Sequence, residues 1–287
     1  MHSVAFRRFK SEIGQANHFL ITTMVGLDAV EDGAVKREDF HATWNPKNTT
    51  ASVRRSKQYA LKSALAWTVD NLDMYLRLAN RLPKLYSEEE SNEIAKTKHS
   101  VYQKFQCVID NHPEIDVSIY AYVDLLICWR NNTTHFDAEN TLLPTSQNYF
   151  SKIITNTSVD KYVNTYHLDI GPMMDRFTRG FCPTFKETAT LINATIHFVE
   201  LLDSLLLQNI SQPRYLESQI KVLLKNDPRN ASIFSRHNTT DDGRVKKIKQ
   251  LLYTAGICED FFNEEAQVFL NAVARMTEEE FKTKSEQ

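Results

Sequence analysis

Glycine and proline are scarce, 7 and 8 in 287 residues. A chain with so few turn-formers runs long between breaks, which argues against many short strands and for helices. Cysteine supplies four residues, Cys107, Cys128, Cys182 and Cys258, with no CxxC and no Cys/His pairing at metal-ligand spacing. A disulfide framework and a structural zinc site are therefore not expected, and the thiols read as reduced and mostly buried. Charge of one sign is lacking too: 34 Lys and Arg stand against 36 Asp and Glu, a net charge of −2. A uniformly basic surface is excluded, so any nucleic-acid contact has to be local. Nowhere do eighteen apolar residues follow without interruption, and Met1–Lys10 holds no apolar core of signal-peptide length. The expectation is a cytoplasmic chain with no membrane partner. Gly-rich phosphate loops, Gly-x-Ser-x-Gly and His pairs four apart are also missing. That argues against nucleotide-driven, acyl-transfer and zinc-protease chemistry, and no cofactor or metal is expected.

What is present is helical periodicity, and the expected fold class is all-α. Three consecutive parts are read from it. Residues 1–52 give a helix from about Ala5 to Val30 and a polar linker with Gly33 and Pro46. Residues 53–212 give the main bundle, and residues 213–287 a small helical appendage. Within the bundle, Ala60, Leu61, Ala64, Leu65, Val69, Leu72 and Leu76 recur at helical spacing until Pro83. Ser87-Glu-Glu-Glu90 and Thr184-Phe-Lys-Glu187 have the form of capping boxes. The first opens a helix expected to run to about Asn111; the second opens an apolar helix to about Asn209. Asp116 is placed to cap Val117–Arg130, which is apolar on nearly every side.

The concentrated chemistry lies at the end of that helix, in Asp124-Leu-Leu-Ile-Cys-Trp-Arg130-Asn-Asn-Thr-Thr-His135. Arg130 comes after a wholly apolar run, and four residues of poor helix propensity separate it from His135. A five-residue offset on an unbroken helix sets two side chains about 140° apart, so the pair converges only if Asn131–Thr134 leave the helix. A guanidinium can hold phosphate oxygens and stabilise a pentavalent transition state, while imidazole moves a proton near neutral pH. RNA carries its own nucleophile, the 2′-hydroxyl, so such a site would cleave it without a metal.

Arg130-Asn131-x-x-x-His135 after an apolar helix resembles the Arg-x4–6-His motif of the HEPN superfamily. These helical domains are often found in ribonuclease toxins and antiviral defence systems. The resemblance implies a HEPN-like bundle over about residues 54–210, with the N-terminal helix and the C-terminal appendage as additions. It implies Arg130, His135 and Asn131 as catalytic residues. Asp124, seven residues before Asn131 and so on nearly the same helical stripe, is a supporting candidate that would orient Arg130 or a water, with a plain polar contact as the favoured alternative. The resemblance also implies two protomers whose motifs line one cleft, and an antitoxin or defence-system protein as a further partner. A homodimer through the helix ending at Arg130 would account for its apolar circumference. His135-Phe136-Asp137 departs from the His-x-Tyr of a subgroup paired with nucleotidyltransferase antitoxins.

Two basic clusters are candidates for guiding an RNA backbone: Arg54, Arg55 and Lys57, and Lys246 with Lys247. Solvated helix faces are the alternative for each. Asp137 and Glu139 read as loop acids, because no supporting ligand set accompanies them. The competing class for the whole chain is a non-catalytic helical module that binds protein or RNA and dimerises through the same helix.

Overall fold

The computed structural model describes residues 2–37, 39, 41–81, 83–134, 140–155, 160–235 and 239–283. Among these residues the fold is all-α, with no strand. The chain opens with α1 (Val4–Glu31) and α2 (Thr49–Ala79). Asn48 caps α2 by accepting the Ala51 amide at 2.8 Å, so the polar linker ends before Ser52.

The single helix expected from Ser87 to Asn111 is two, α3 (Glu88–Lys96) and α4 (Val101–Asn111). Lys98 sits at φ +53°, a conformation that ends a helix, and the Ser100 hydroxyl accepts the Gln103 amide to start the next. Next come α5 (Val117–Thr134), α6 (Pro144–Thr155), α7 (Lys161–Tyr166), α8 (Ile170–Thr178) and α9 (Phe185–Gln208). Thr184 and Glu187 form the full reciprocal box at the start of α9: Thr184 N–H donates to Glu187 at 2.7 Å and Glu187 N–H to Thr184 Oγ1 at 3.2 Å. After α10 (Gln212–Asn226) a 3-10 turn spans Pro228–Phe234; α11 (Asp241–Thr254), a short 3-10 turn (Glu259–Phe261), α12 (Glu264–Arg275) and α13 (Glu278–Thr283) follow among the described residues.

Two compact units result, each assembled from separate stretches of sequence. One comprises Phe9–Met74 and Thr97–Val199. Its centre is α5, packed against α4 and α6, with Ala121 through Trp129 fully buried. Aromatic edges fill the space around it: Tyr122 meets Phe150 at 5.2 Å and Tyr162 at 4.7 Å, and Phe105 meets Phe198 at 5.7 Å.

The other unit comprises Met1–Arg8, Tyr75–Lys96 and Glu200–Gln287. Leu216, Ile220, Ile248, Leu252, Leu270 and Val273 bring α10, α11 and α12 around one apolar core. Arg244 is 1 % exposed and donates to the carbonyls of Ile233 (3.3 Å) and Met276 (2.7 Å), so it serves packing within this unit. Among the described residues α9 has the length and composition to cross a membrane, but 61 % of that window is buried in the protein, as in a core helix.

Candidate active site at the end of helix α5

Helix α5 carries its apolar residues to Trp129, and Trp129 fixes the register of the last turn. Its ring is fully buried, its Nε1–H donates to the Phe181 carbonyl at 2.8 Å, and it meets Phe177 edge-on at 5.7 Å. The apolar circumference of α5 is thus accounted for by packing within the chain. Besides its first turn, what α5 leaves partly at the surface is its polar end, Arg130–Thr134.

Asn131–Thr134 remain helical, so the departure from the helix expected between Arg130 and His135 is absent there, and a site shared by the two requires the turn to come after Thr134. The reason lies in their side chains. Thr133 Oγ1 donates to the Trp129 carbonyl at 2.8 Å and Thr134 Oγ1 to that of Arg130 at 2.6 Å, so groups expected to compete with the helix instead bond back onto it. Asn132 performs a tertiary task that the sequence did not signal. Its Oδ1 accepts the Asn140 amide at 2.9 Å and its Nδ2 donates to the Asn140 carbonyl at 3.2 Å. This two-point clamp joins the end of α5 to the segment leading into α6. His135, Asp137 and Glu139 lie outside the described residues.

Arg130 is half-buried, and burial pulls its guanidinium below the usual arginine value. Asp70 and Asp73 of α2 oppose that shift with their negative charge. Asp73 also holds Lys104 of α4 at 2.6 Å, with Lys104 almost wholly buried. The end of α5 is therefore a mixed charge cluster of two cations and two carboxylates drawn from α2, α4 and α5. Asn131 is half-exposed, and its side chain makes no hydrogen bond to the described residues.

Asp124, the supporting candidate on the same stripe, makes polar contacts at the entry to the next helix. Fully buried, it accepts the Leu143 amide at 2.8 Å at the entry to α6, and Cys128 Sγ lies 3.6 Å from its other oxygen. Burial pushes its carboxyl up, with bonds from Ser146, Leu143 and Cys128 acting against that rise. Asp124→Ala is expected to cost about 1–3 kcal/mol, because the Leu143 amide loses its acceptor in a buried place. Asp124→Asn retains an acceptor oxygen and is expected to keep most of the stability. Urea unfolding midpoints of the two variants check the contrast.

The basic candidates divide by surroundings. Arg54 and Arg55 are exposed on the first turns of α2, whereas Lys57 lies between Asp28 (2.6 Å) and Glu31 (2.7 Å) and ties α2 to α1. In the other unit Lys246 and Lys247 are exposed, and Lys247 donates to Thr239 Oγ1 at 3.2 Å. Among the described residues no three His, Cys, Asp or Glu side chains gather as a metal site would require.

Comparison with protein-family models, with curated proteins and with solved structures yields no match.

Proposed function

We propose that the chain is a HEPN-like endoribonuclease that cleaves RNA by attack of the 2′-hydroxyl, without a metal. The observation that carries this reading is the placement of Arg130. It is the first half-exposed residue after a run, Tyr120–Trp129, that is wholly buried, and His135 comes directly after the final helical residue, Thr134, in the chain. Trp129 and the Asn132 clamp hold that turn, which is the preorganisation a transition-state donor needs.

In this mechanism His135 takes the proton from the 2′-hydroxyl as the oxygen attacks phosphorus. The bond from phosphorus to the 5′-oxygen breaks, and that oxygen leaves with a proton supplied by a general acid. The products are a 2′,3′-cyclic phosphate and a 5′-hydroxyl end. Arg130 stabilises the charge on the phosphorane oxygens through its planar fork, and Asn131 orients the strand. The second histidine that would serve as acid comes, by the resemblance, from a second copy of the chain. A toxin or antiviral role, with an antitoxin or defence protein as partner, is the setting that the resemblance supplies.

The test is incubation of the pure protein with RNA in EDTA. Cleavage to cyclic-phosphate ends is expected, and it is expected to vanish in His135→Ala. Intact RNA, or cleavage undiminished by that substitution, leaves the non-catalytic binding module as the better reading.

A further inference from the structure

Along the middle of α2 runs a surface that the described residues leave uncovered. Tyr59 is 75 % exposed and Trp67 54 %, and on α1 Phe19 is 68 % exposed. Between them Ala16, Ala60, Ser63 and Ala64 help to line a hollow of about 340 Å³. Tyr59 and Phe19 line a second hollow that adjoins this one and shares Ala60 and Ser63 with it. Single exposed apolar residues are ordinary, but three large aromatic rings along two adjoining small-residue hollows mark a contact surface.

The order of side chains along this stripe identifies the occupant. From the N-terminal end of α2 it reads cation, aromatic, small, aromatic, anion: Arg55, Tyr59, Ser63, Trp67, Asp70. Steps of four, four, four and three keep the five on one face. Reversed about Ser63, the stripe is its own complement in both shape and charge. Arg55 has no acidic partner of its own among the described residues.

We infer that α2 packs antiparallel against α2 of a second copy, with the two-fold axis at Ser63. Each Tyr59 then meets the partner's Trp67 over the hollow, about 12 Å of helix separating the two rings within one copy. Each Arg55 meets the partner's Asp70. At the axis the small side chains let the helices approach to about 8 Å, as close-packed helices do. The arrangement closes on itself, which is the form a C2 interface requires. It is a different contact from pairing along α5; it uses Asp70, whose charge also bears on Arg130, but it does not depend on any reaction there, and its tests read the oligomeric state.

Light scattering of the full chain in solution is expected to give twice the 33.2 kDa chain mass. Ser63→Cys is expected to form an oxidised covalent dimer that the wild type does not, since facing residues at the axis lie within disulfide reach. Ser63→Arg, Arg55→Glu and Asp70→Arg are each expected to give monomers. The combined Arg55→Glu and Asp70→Arg variant is expected to recover the dimer, because each reversed charge again meets its opposite. Circular dichroism with unchanged helicity excludes misfolding, and Ser63→Cys tests the register without altering charge or bulk.

A wild-type monomer at high protein concentration overturns the inference. So does a dimer that survives both Ser63→Arg and the single charge reversals, or one that Ser63→Cys fails to cross-link. A monomer whose Trp67 fluorescence responds to a single-stranded oligonucleotide overturns it in favour of a base-stacking surface. Loss of cleavage in Arg130→Ala with the dimer intact separates the catalytic reading from this one.

Discussion

Arg130→Ala is expected to lower RNA cleavage by about 10²–10³-fold, the usual cost of removing one preorganised donor from a developing oxyanion. The loss should fall on kcat more than on KM, because the guanidinium is assigned to charge that appears only in the transition state. Arg130→Lys restores the charge but not the planar fork, so it is expected to recover only part of the rate. Two neighbours sharpen this expectation. Asp70 and Asp73 place negative charge near the guanidinium, and Asp73 is already held by Lys104. Removing Arg130 therefore leaves Asp73 with a partner, and thermal unfolding of Arg130→Ala should stay near wild type while activity collapses. Single-turnover rates on a defined RNA, with unfolding curves measured in parallel, check both halves. Unchanged cleavage with an unchanged fold removes Arg130 from the chemistry.

The helical class was legible because scarce glycine and proline and a 3.6-residue apolar period act locally. The same local signals located α2, α5 and the Thr184 box. Where they failed, a tertiary partner or a side-chain bond decided the outcome. The break at Lys98–Ser100 interrupts a run whose composition reads as helix throughout, and a capping hydroxyl there sets the new start. Asn131–Thr134 have the composition of a helix break, yet Thr133 and Thr134 bond to carbonyls of the same helix and Asn132 to Asn140. Asp124 shares a helical stripe with Asn131, which suggests either a supporting residue or a plain polar contact without naming its partner. Its actual partner, Leu143, lies 19 residues ahead, and no periodicity points to it. The carboxylates around Arg130 come from another helix about sixty residues earlier, a relation that only folding creates. The spacing of Arg130 and His135 was thus legible in the sequence, while the electrostatic setting of Arg130 was not.

In the unit containing the N-terminal residues, the largest stability effect is expected at Asp203. This carboxylate is fully buried and accepts the Ser3 amide at 2.9 Å, the Ser3 hydroxyl, and the Tyr75 hydroxyl at 3.2 Å. It joins the start of α1 to α2 and α9, while Tyr215 of α10 accepts the Val4 amide at 3.2 Å alongside. Asp203→Ala strands the donors of Ser3 and Tyr75 in a dry site and is expected to cost about 2–4 kcal/mol. Asp203→Asn offers one acceptor and one donor and is expected to recover most of that loss. The two variants also differ from wild type in pH response. Burial pushes the Asp203 carboxyl up, with the bonds from Ser3 and Tyr75 and the nearby His2 pulling against it. The folded state therefore retains a proton that the unfolded chain releases near pH ~3.9. The contribution of this group is fully present below that value and is lost as pH rises through the higher folded value. Relative to Asp203→Asn, wild type should lose stability over that interval and then run parallel to it. Urea midpoints measured from acid to neutral pH give the comparison; curves parallel throughout would show that the carboxyl titrates alike in the folded and unfolded chain.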